Sequence, residues 1–137
     1  MTWLLDTNVI SELRRPEPNP GLAEWAGSVA QSTLYISAIT VMEVERGVLS
    51  KERRDPFQGR VLRSWFNDQV LVVFAGRVLP IDKAIALKCA KLHVPDKCQE
   101  CDALIAATAL VHEMTVVTRN IRDFEGTGAM LFNPWSD

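Results

Sequence analysis

The sequence predicts an α/β domain built on a mainly parallel sheet. Short apolar or β-branched runs alternate along the chain with longer segments that have helical spacing. Strands that alternate with helices form βαβ units, and the strands of such units run parallel. The chain has 137 residues, of which 47% are hydrophobic. We therefore expect residues 1–137 to form one globular domain with a substantial core.

The first part of the chain is expected to hold two strands and four helices. Three prolines (Pro16, Pro18, Pro20) end the first helix. Thr40 and Glu43 have capping-box spacing, which favours a helix that begins there. A further helix starts at Pro56, because proline suits a first helical position. The strands are predicted at 3–5 and 33–36, and the helices at 8–14, 21–29, from about 40, and from 56 to about 73.

The second part of the chain continues the alternation. Residues 79–82 read as a short extended piece, after which Asp82 caps a helix that stops before Pro95. Residues 101–112 have a strong helical pattern with four alanines, which would let a neighbouring element approach closely. Residues 115–118 form a buried strand, and residues 130–132 form a weaker one. These elements complete the predicted sheet.

Composition excludes several classes of protein. No apolar stretch is long enough to span a membrane, and no basic segment followed by a long apolar run opens the chain, so we expect a cytoplasmic protein. Three cysteines, an odd number, argue against a disulfide framework. Cys98 and Cys101 form a C-x2-C pair that Cys89 and His93 could complete as a zinc site. The alternative is that all three thiols are simply reduced, with Cys89 on an apolar helix face.

Four acidic residues stand where predicted strands end or helices begin: Asp6, Glu43, Asp102 and Asp123. In a parallel sheet these points converge on one edge. Each residue alone has a structural explanation, as a helix cap, a capping-box member, a dipole partner or a turn residue. Together they would repel one another unless a cation lay between them, and oxygen-only clusters suit Mg²⁺ or Mn²⁺. Such a cation binds phosphate oxygens and activates water.

A basic stretch could attract a polyanion to that acidic edge. Six basic and two acidic residues lie between Arg46 and Arg63, although the formal net charge of the chain is −2. Local positive charge of this kind tracks a phosphate backbone. The alternative is a solvated helical surface. The candidates for nucleic-acid contact are Arg46, Lys51, Arg53 and Arg54.

Four segments of the chain resemble the PIN-domain ribonucleases, and in particular VapC-type toxins of toxin–antitoxin pairs: residues 4–11, 37–43, 101–109 and 118–124. The ending Phe132-Asn133-Pro134-Trp135 is similar to that of the FitB-like branch. The resemblance implies a three-layer α/β/α domain, metal-dependent endonuclease action on RNA and a homodimer. It also implies a small antitoxin that blocks the site, with operator DNA bound only through that antitoxin.

The resemblance also assigns roles by position. Asp6, Glu43 and Asp102 match the three central acidic residues of the family. Some relatives have Asp at the position of Asn120, whereas others pair Asn there with a later acidic residue, as in Asn120 and Asp123 here. Asp123 is therefore taken as the fourth carboxylate and Asn120 as a neutral supporting group.

Our leading hypothesis is a Mg²⁺- or Mn²⁺-dependent endoribonuclease toxin. Asp6 and Asp102 would bind the metal, Glu43 would orient or deprotonate the attacking water, and Asp123 would complete the pocket. Hydrolysis by an activated water does not require the RNA 2′-hydroxyl, so a 5′-phosphate product is expected. The groups expected to position water and phosphate are Thr7, Asn8, Thr118 and Asn120.

Two other functions compete with this hypothesis. The first is a catalytically inactive PIN-fold protein that binds RNA or a protein partner in a regulatory role. The second is a phosphatase or receiver-like domain with an acidic pocket. A phosphatase with an aspartyl nucleophile usually has a second Asp two residues after the first, and Asn8 occupies that place. The phosphatase therefore ranks lowest.

Overall fold

A five-stranded, fully parallel sheet forms the centre of the protein, as the computed structural model of residues 1–137 shows. Its strands follow the order β3-β2-β1-β4-β5. The chain builds outward from β1 to β3 and then returns to place β4 on the other side of β1. Ligands bind at such reversals, beyond the carboxyl ends of the strands. The strands are β1 (Trp3–Leu5), β2 (Leu34–Ser37), β3 (Val78–Leu79), β4 (Thr115–Val117) and β5 (Met130–Phe132).

Helices connect the strands and cover both faces of the sheet. Short 3₁₀ turns occur at Gln31–Thr33 and Ile121–Phe124, and one π-helical turn occurs at Phe66–Val70. None of the helices combines the length and apolar character needed to cross a bilayer. The helices are α1 (Thr7–Leu13), α2 (Pro20–Ser28), α3 (Ala38–Arg54), α4 (Pro56–Trp65), α5 (Leu71–Val73), α6 (Lys83–Leu92) and α7 (Glu100–His112).

Two separate cores lie on the two faces of the sheet. Because side chains alternate along a strand, Leu5 packs with residues of α1 to α4 such as Val44, whereas Leu4 packs with Ile105 of α7 on the opposite face. A smaller cluster joins α6 to α7 around Ile85. The alanines of α7 are buried and allow the close approach that their spacing predicted. The predicted three-layer α/β/α architecture is confirmed.

The start of α3 differs from the prediction. The helix begins at Ala38, where the Ser37 hydroxyl accepts a hydrogen bond from the Ile39 amide at 3.0 Å. The prediction that Thr40 and Glu43 form a capping box at the start of this helix is therefore wrong. Ser37 is the last residue of β2 and is itself a strong N-cap residue, so the helix starts three residues earlier. This earlier start places Glu43 in the second turn of α3.

An ion-pair cluster and a glycine hold α3 against α4. Arg63 pairs with Glu45 at 2.6 Å and with Glu52 at 3.1 Å. One positive charge of the basic stretch is thus neutralised within the fold. Gly59 of α4 is buried against Glu52, and a Cβ at Gly59 would lie 2.4 Å from the Glu52 Cα. Only glycine allows the two helix backbones to come this close.

Replacing Gly59 with Ala should therefore destabilise the protein. The new methyl group would force α4 away from the α3 backbone, and we expect the free energy of unfolding to fall by about 1–3 kcal/mol. Gly47→Ala is the control, because a Cβ at Gly47 of α3 would meet no atom within 4 Å. That variant should gain about 0.5–1 kcal/mol from its better helix former. Urea unfolding measures both, and a Gly59→Ala variant as stable as wild type would contradict this packing.

Candidate active site

Asp6 lies at the reversal point of the sheet. Its amide donates a hydrogen bond to the Val117 carbonyl at 2.9 Å, which continues the pairing of β1 with β4. The carboxylate Oδ1 accepts from the Thr7 amide at 2.8 Å, as the N-cap of α1. Oδ2 accepts from the Thr118 hydroxyl at 2.8 Å. With only 6% of its surface exposed, this carboxylate is fixed by three elements of the fold.

The predicted supporting residues surround this carboxylate. The Thr7 hydroxyl donates to Glu43 Oε1 at 2.7 Å, which connects α1 to α3. The Asn8 side-chain amide donates to Asp6 Oδ2 at 3.3 Å and to the Thr118 hydroxyl at 3.2 Å. Thr118 is itself fully buried beneath the site. The polar groups form one connected network.

A cavity of about 500 Å³ opens over the network and has no hydrophobic residue in its lining. It brings together all four predicted carboxylates, although they come from four separate parts of the chain. Three of the four predicted supporting residues also line it. The lining residues are Asp6, Thr7, Asn8, Ser11, Glu12, Arg15, Glu43, Asp102, Asn120 and Asp123.

The carboxylates of this cavity act on one another. Burial raises the pKa of Asp6, and repulsion from Glu43 and Asp123 raises it further, against the hydrogen bonds from Thr118 and Thr7. Burial also raises the pKa of Asp102, together with repulsion from Asp6, Asp123 and Glu43, to about 6. Asp123 therefore belongs to the cluster electrostatically. A bound cation would relieve this repulsion, and a donor set of carboxylate oxygens suits a hard divalent ion.

Three further residues, which the sequence did not predict, line the cavity: Ser11 and Glu12 of α1, and Arg15 just after that helix. Glu12 accepts a hydrogen bond from the Asn19 amide at 2.9 Å and pairs with Arg15 at 3.4 Å. For Ser11 and Glu12, helical spacing was the signal in the sequence that could have predicted this position. Ser11 and Glu12 follow Thr7 and Asn8 by four residues, so they lie on the same face of α1.

The four candidate RNA contacts lie along α3 but do not line the cavity. Arg46 is exposed one turn after Glu43. Lys51, Arg53 and Arg54 occupy the last turn of the helix. At 1.5 Å per residue, that turn is about 12–16 Å further along the axis than Glu43. Their contact with RNA stays a prediction.

The cysteines do not form the four-ligand zinc site that their spacing allowed. Ligand atoms of Cys89, His93 and Glu100 lie within 4.8 Å of one another, without Cys98 or Cys101. The Cys98 amide donates to His93 Nδ1 at 2.9 Å, so Nε2 carries the ring proton and has no lone pair for a metal. The Cys98 thiol donates to the Leu92 carbonyl at 3.0 Å. All three cysteines are free thiols.

Comparison with known proteins places the whole arrangement in a family. The family model described as the PIN domain matches residues 3–129. The chain belongs to the PIN-domain family. This PIN domain is 39% identical over 142 residues to Toxin FitB of Neisseria gonorrhoeae, covering 98% of this chain and 99% of that one.

Two further matches extend the comparison. The VapC ribonuclease Y4jK of Sinorhizobium fredii is 39% identical over 140 residues, covering 96% of either chain. A solved structure of FitAB bound to an IR36 DNA fragment superposes with a TM-score of 0.87 and 37% identity, covering 99% of this chain and 97% of that one. The PIN domain thus resembles toxins and ribonucleases along its full length.

Replacing Asp102 with Asn should stabilise the metal-free PIN domain at neutral pH. The folded state raises the pKa of Asp102 from 3.8 to about 6 and so holds its proton more tightly than the unfolded state. Stability linked to this group is therefore lost as the pH rises from about 4 to 6. The variant should melt above wild type at pH 7, and the difference should vanish near pH 4.

Melting temperatures measured in EDTA across this pH range test the expectation. Asp68→Asn, which changes an exposed carboxylate outside the cavity, is the matched control and should follow the wild-type profile. Equal melting of wild type and Asp102→Asn at pH 7 would mean that Asp102 is not under electrostatic strain.

Proposed function

We propose that this protein is the endoribonuclease toxin of a type II toxin–antitoxin pair. The observation that carries the proposal is the convergence of Asp6, Glu43, Asp102 and Asp123 on one polar cavity of a PIN fold. The names of its relatives, a toxin and a ribonuclease, support the same activity. Residues 1–137 act as one PIN domain, and the site of action is the cytoplasm.

The catalytic cofactor in this proposal is Mg²⁺ or Mn²⁺, held by Asp6 and Asp102. Burial and repulsion from neighbouring carboxylates raise the pKa values of both residues, and a bound cation would offset that repulsion. When bound, the cation would bind phosphate oxygens of the RNA and activate a water. Asp6 is suited to the task because Oδ1 takes a single protein hydrogen bond and retains a lone pair.

Glu43 is the proposed group that orients the attacking water or takes its proton. The Thr7 hydroxyl holds Glu43 through Oε1 at 2.7 Å, and no protein group donates to Oε2. That oxygen remains available to accept a hydrogen bond from water. Asp123 completes the acidic pocket, while Asn8 and Asn120 orient water and phosphate at its edge. The product would carry a 5′-phosphate.

The partners in this proposal are RNA, a cognate antitoxin and a second copy of the chain in a homodimer. The FitAB structure contains a partner protein and a DNA fragment. By analogy, this toxin would reach operator DNA only through its antitoxin. An inactive, regulatory PIN-fold protein is not favoured, because such a protein has no need of all four carboxylates in one cavity.

Asp6→Asn is expected to abolish RNA cleavage while the protein still folds. Asn keeps an oxygen that caps α1, but the lost charge removes several kcal/mol of support for the cation and the transition state, so activity should fall by at least about 100-fold. Cleavage of a 5′-labelled single-stranded RNA and circular dichroism measure the two properties. Asp68→Asn is the control and should cut normally. If Asp6→Asn cuts as fast as wild type in matched preparations, the assignment fails.

Divalent cations should stabilise the wild-type protein against unfolding. At a Mn²⁺ concentration of 100 times the dissociation constant, binding to the folded state alone adds about 2.7 kcal/mol. Thermal melts with Mn²⁺, Mg²⁺ and EDTA measure this effect. Asp6→Asn and Asp102→Asn should lose most of it. An equal shift in wild type and both variants would place the cation elsewhere.

A further inference from the structure

A smaller cavity of about 200 Å³ adjoins the acidic one and shares Glu12 and Arg15 with it. We call it the annex and define it by Glu12, Arg15, Glu17, Arg119 and Trp135. Because two residues line both cavities, the annex lies next to the candidate active site. A polymer bound in the acidic cavity therefore has the annex within reach of its next nucleotide.

The C-terminal segment holds an aromatic residue in the wall of the annex. The Ser136 amide donates to Asn19 Oδ1 at 2.9 Å, and the Asn19 side-chain amide donates to the Ser136 carbonyl at 2.8 Å. The Trp135 amide donates to Asn133 Oδ1 at 2.9 Å. Trp135 is half-buried, since it also packs against the larger core. Its position is therefore set before any ligand binds.

The closeness of this segment to α2 depends on a glycine. A Cβ at Gly21 would lie 2.6 Å from the Pro134 carbonyl oxygen. The Gly21 amide donates to the Ser136 hydroxyl at 3.1 Å. The segment therefore follows one fixed path along the start of α2.

Two arginines line the annex. Arg119 is the second residue after β4, next to Thr118, and it forms no ion pair. Arg15 has 64% of its side chain exposed, and its only ion pair is the 3.4 Å contact with Glu12. Glu12 also accepts the Asn19 amide at 2.9 Å, so part of its charge is already engaged. Glu17 is the remaining acidic residue of the annex.

We propose that the annex binds one nucleotide of a single-stranded RNA, adjacent to the bond that is cut. The base would stack on Trp135, because unpaired bases bind aromatic side chains through their π-faces. The neighbouring phosphate would pair with Arg119 and Arg15, since guanidinium groups bind phosphate through paired hydrogen bonds. Glu17 would accept a hydrogen bond from an amino group of the base. This inference rests on the proposed ribonuclease function.

Trp135→Leu removes the stacking surface and keeps apolar packing against the core. Loss of one base stack should lower kcat/KM for a short 5′-labelled single-stranded RNA by at least about fivefold. Arg119→Gln should also weaken cleavage, and more so at low salt. Lys83→Gln, which removes an exposed charge at the start of α6, is the control and should cut at the wild-type rate.

A substrate series identifies the stacked base. Single abasic nucleotides are placed one at a time on both sides of the cut bond. One abasic position should slow wild type by the same factor as Trp135→Leu and should slow that variant no further. If Trp135→Leu cuts every substrate, intact or abasic, more slowly than wild type by the same factor, the variant has a general defect. That result would overturn the stacking role.

The remaining outcomes separate this inference from the function on which it rests. No cleavage by wild type with Mg²⁺ or Mn²⁺ would reject the ribonuclease itself. Normal cleavage by wild type and by Trp135→Leu would reject the annex alone. If Trp135→Leu cuts normally but no longer binds an antitoxin, the annex belongs to a protein partner and the nucleotide subsite is wrong. A matched melting temperature for Trp135→Leu excludes misfolding as the cause of a loss.

Discussion

The hydrogen bond between the Thr118 hydroxyl and the Asp6 carboxylate is the contact on which the acidic site depends. The parallel pairing of Leu5 with Val117 places the next residue of each strand side by side at the edge of the sheet. Thr118 is fully buried, so its hydroxyl cannot form a hydrogen bond with bulk water instead. The same hydroxyl accepts from the Asn8 side chain and the Asn120 amide. One side chain thus aligns β1, α1 and the loop after β4.

The clustered carboxylates of the acidic site lower the free energy of unfolding of the domain. Two carboxylates are held partly or wholly out of water while two more repel them, which costs free energy at neutral pH. The two apolar cores and the tight α3–α4 contact offset this cost. Strain of this kind marks a functional cluster, because a purely structural ion network pairs its charges, as Arg63 does with Glu45 and Glu52.

Local chemistry made much of the fold and the site predictable. Apolar runs located four of the five strands, and Asp82 caps α6 as expected. The third strand, Val78–Leu79, overlaps the extended piece predicted at 79–82 only at Leu79. The start of α3 was missed because Ser37 and Thr40 are both suitable N-cap residues, and the spacing of Thr40 and Glu43 favoured the later one. Glu12 and Arg15 were missed because their spacing shows which residues share a face with Asn8 but not whether that face lines a cavity or meets solvent. The spacing of the cysteines could not reveal that the Cys98 amide would donate a hydrogen bond to His93 Nδ1.

The shortness of β1 links the proposed activity to complete folding. Of its three residues, Leu4 is buried against α7 on one face and Leu5 is buried against α1 to α4 on the other. A slip of one residue would exchange the two leucines and turn Asp6 away from Thr118. The four carboxylates come from four separate parts of the chain, so they meet only when the strands pair in this register. In the proposed toxin this register would act as a safeguard, because only the folded chain would be able to cut RNA.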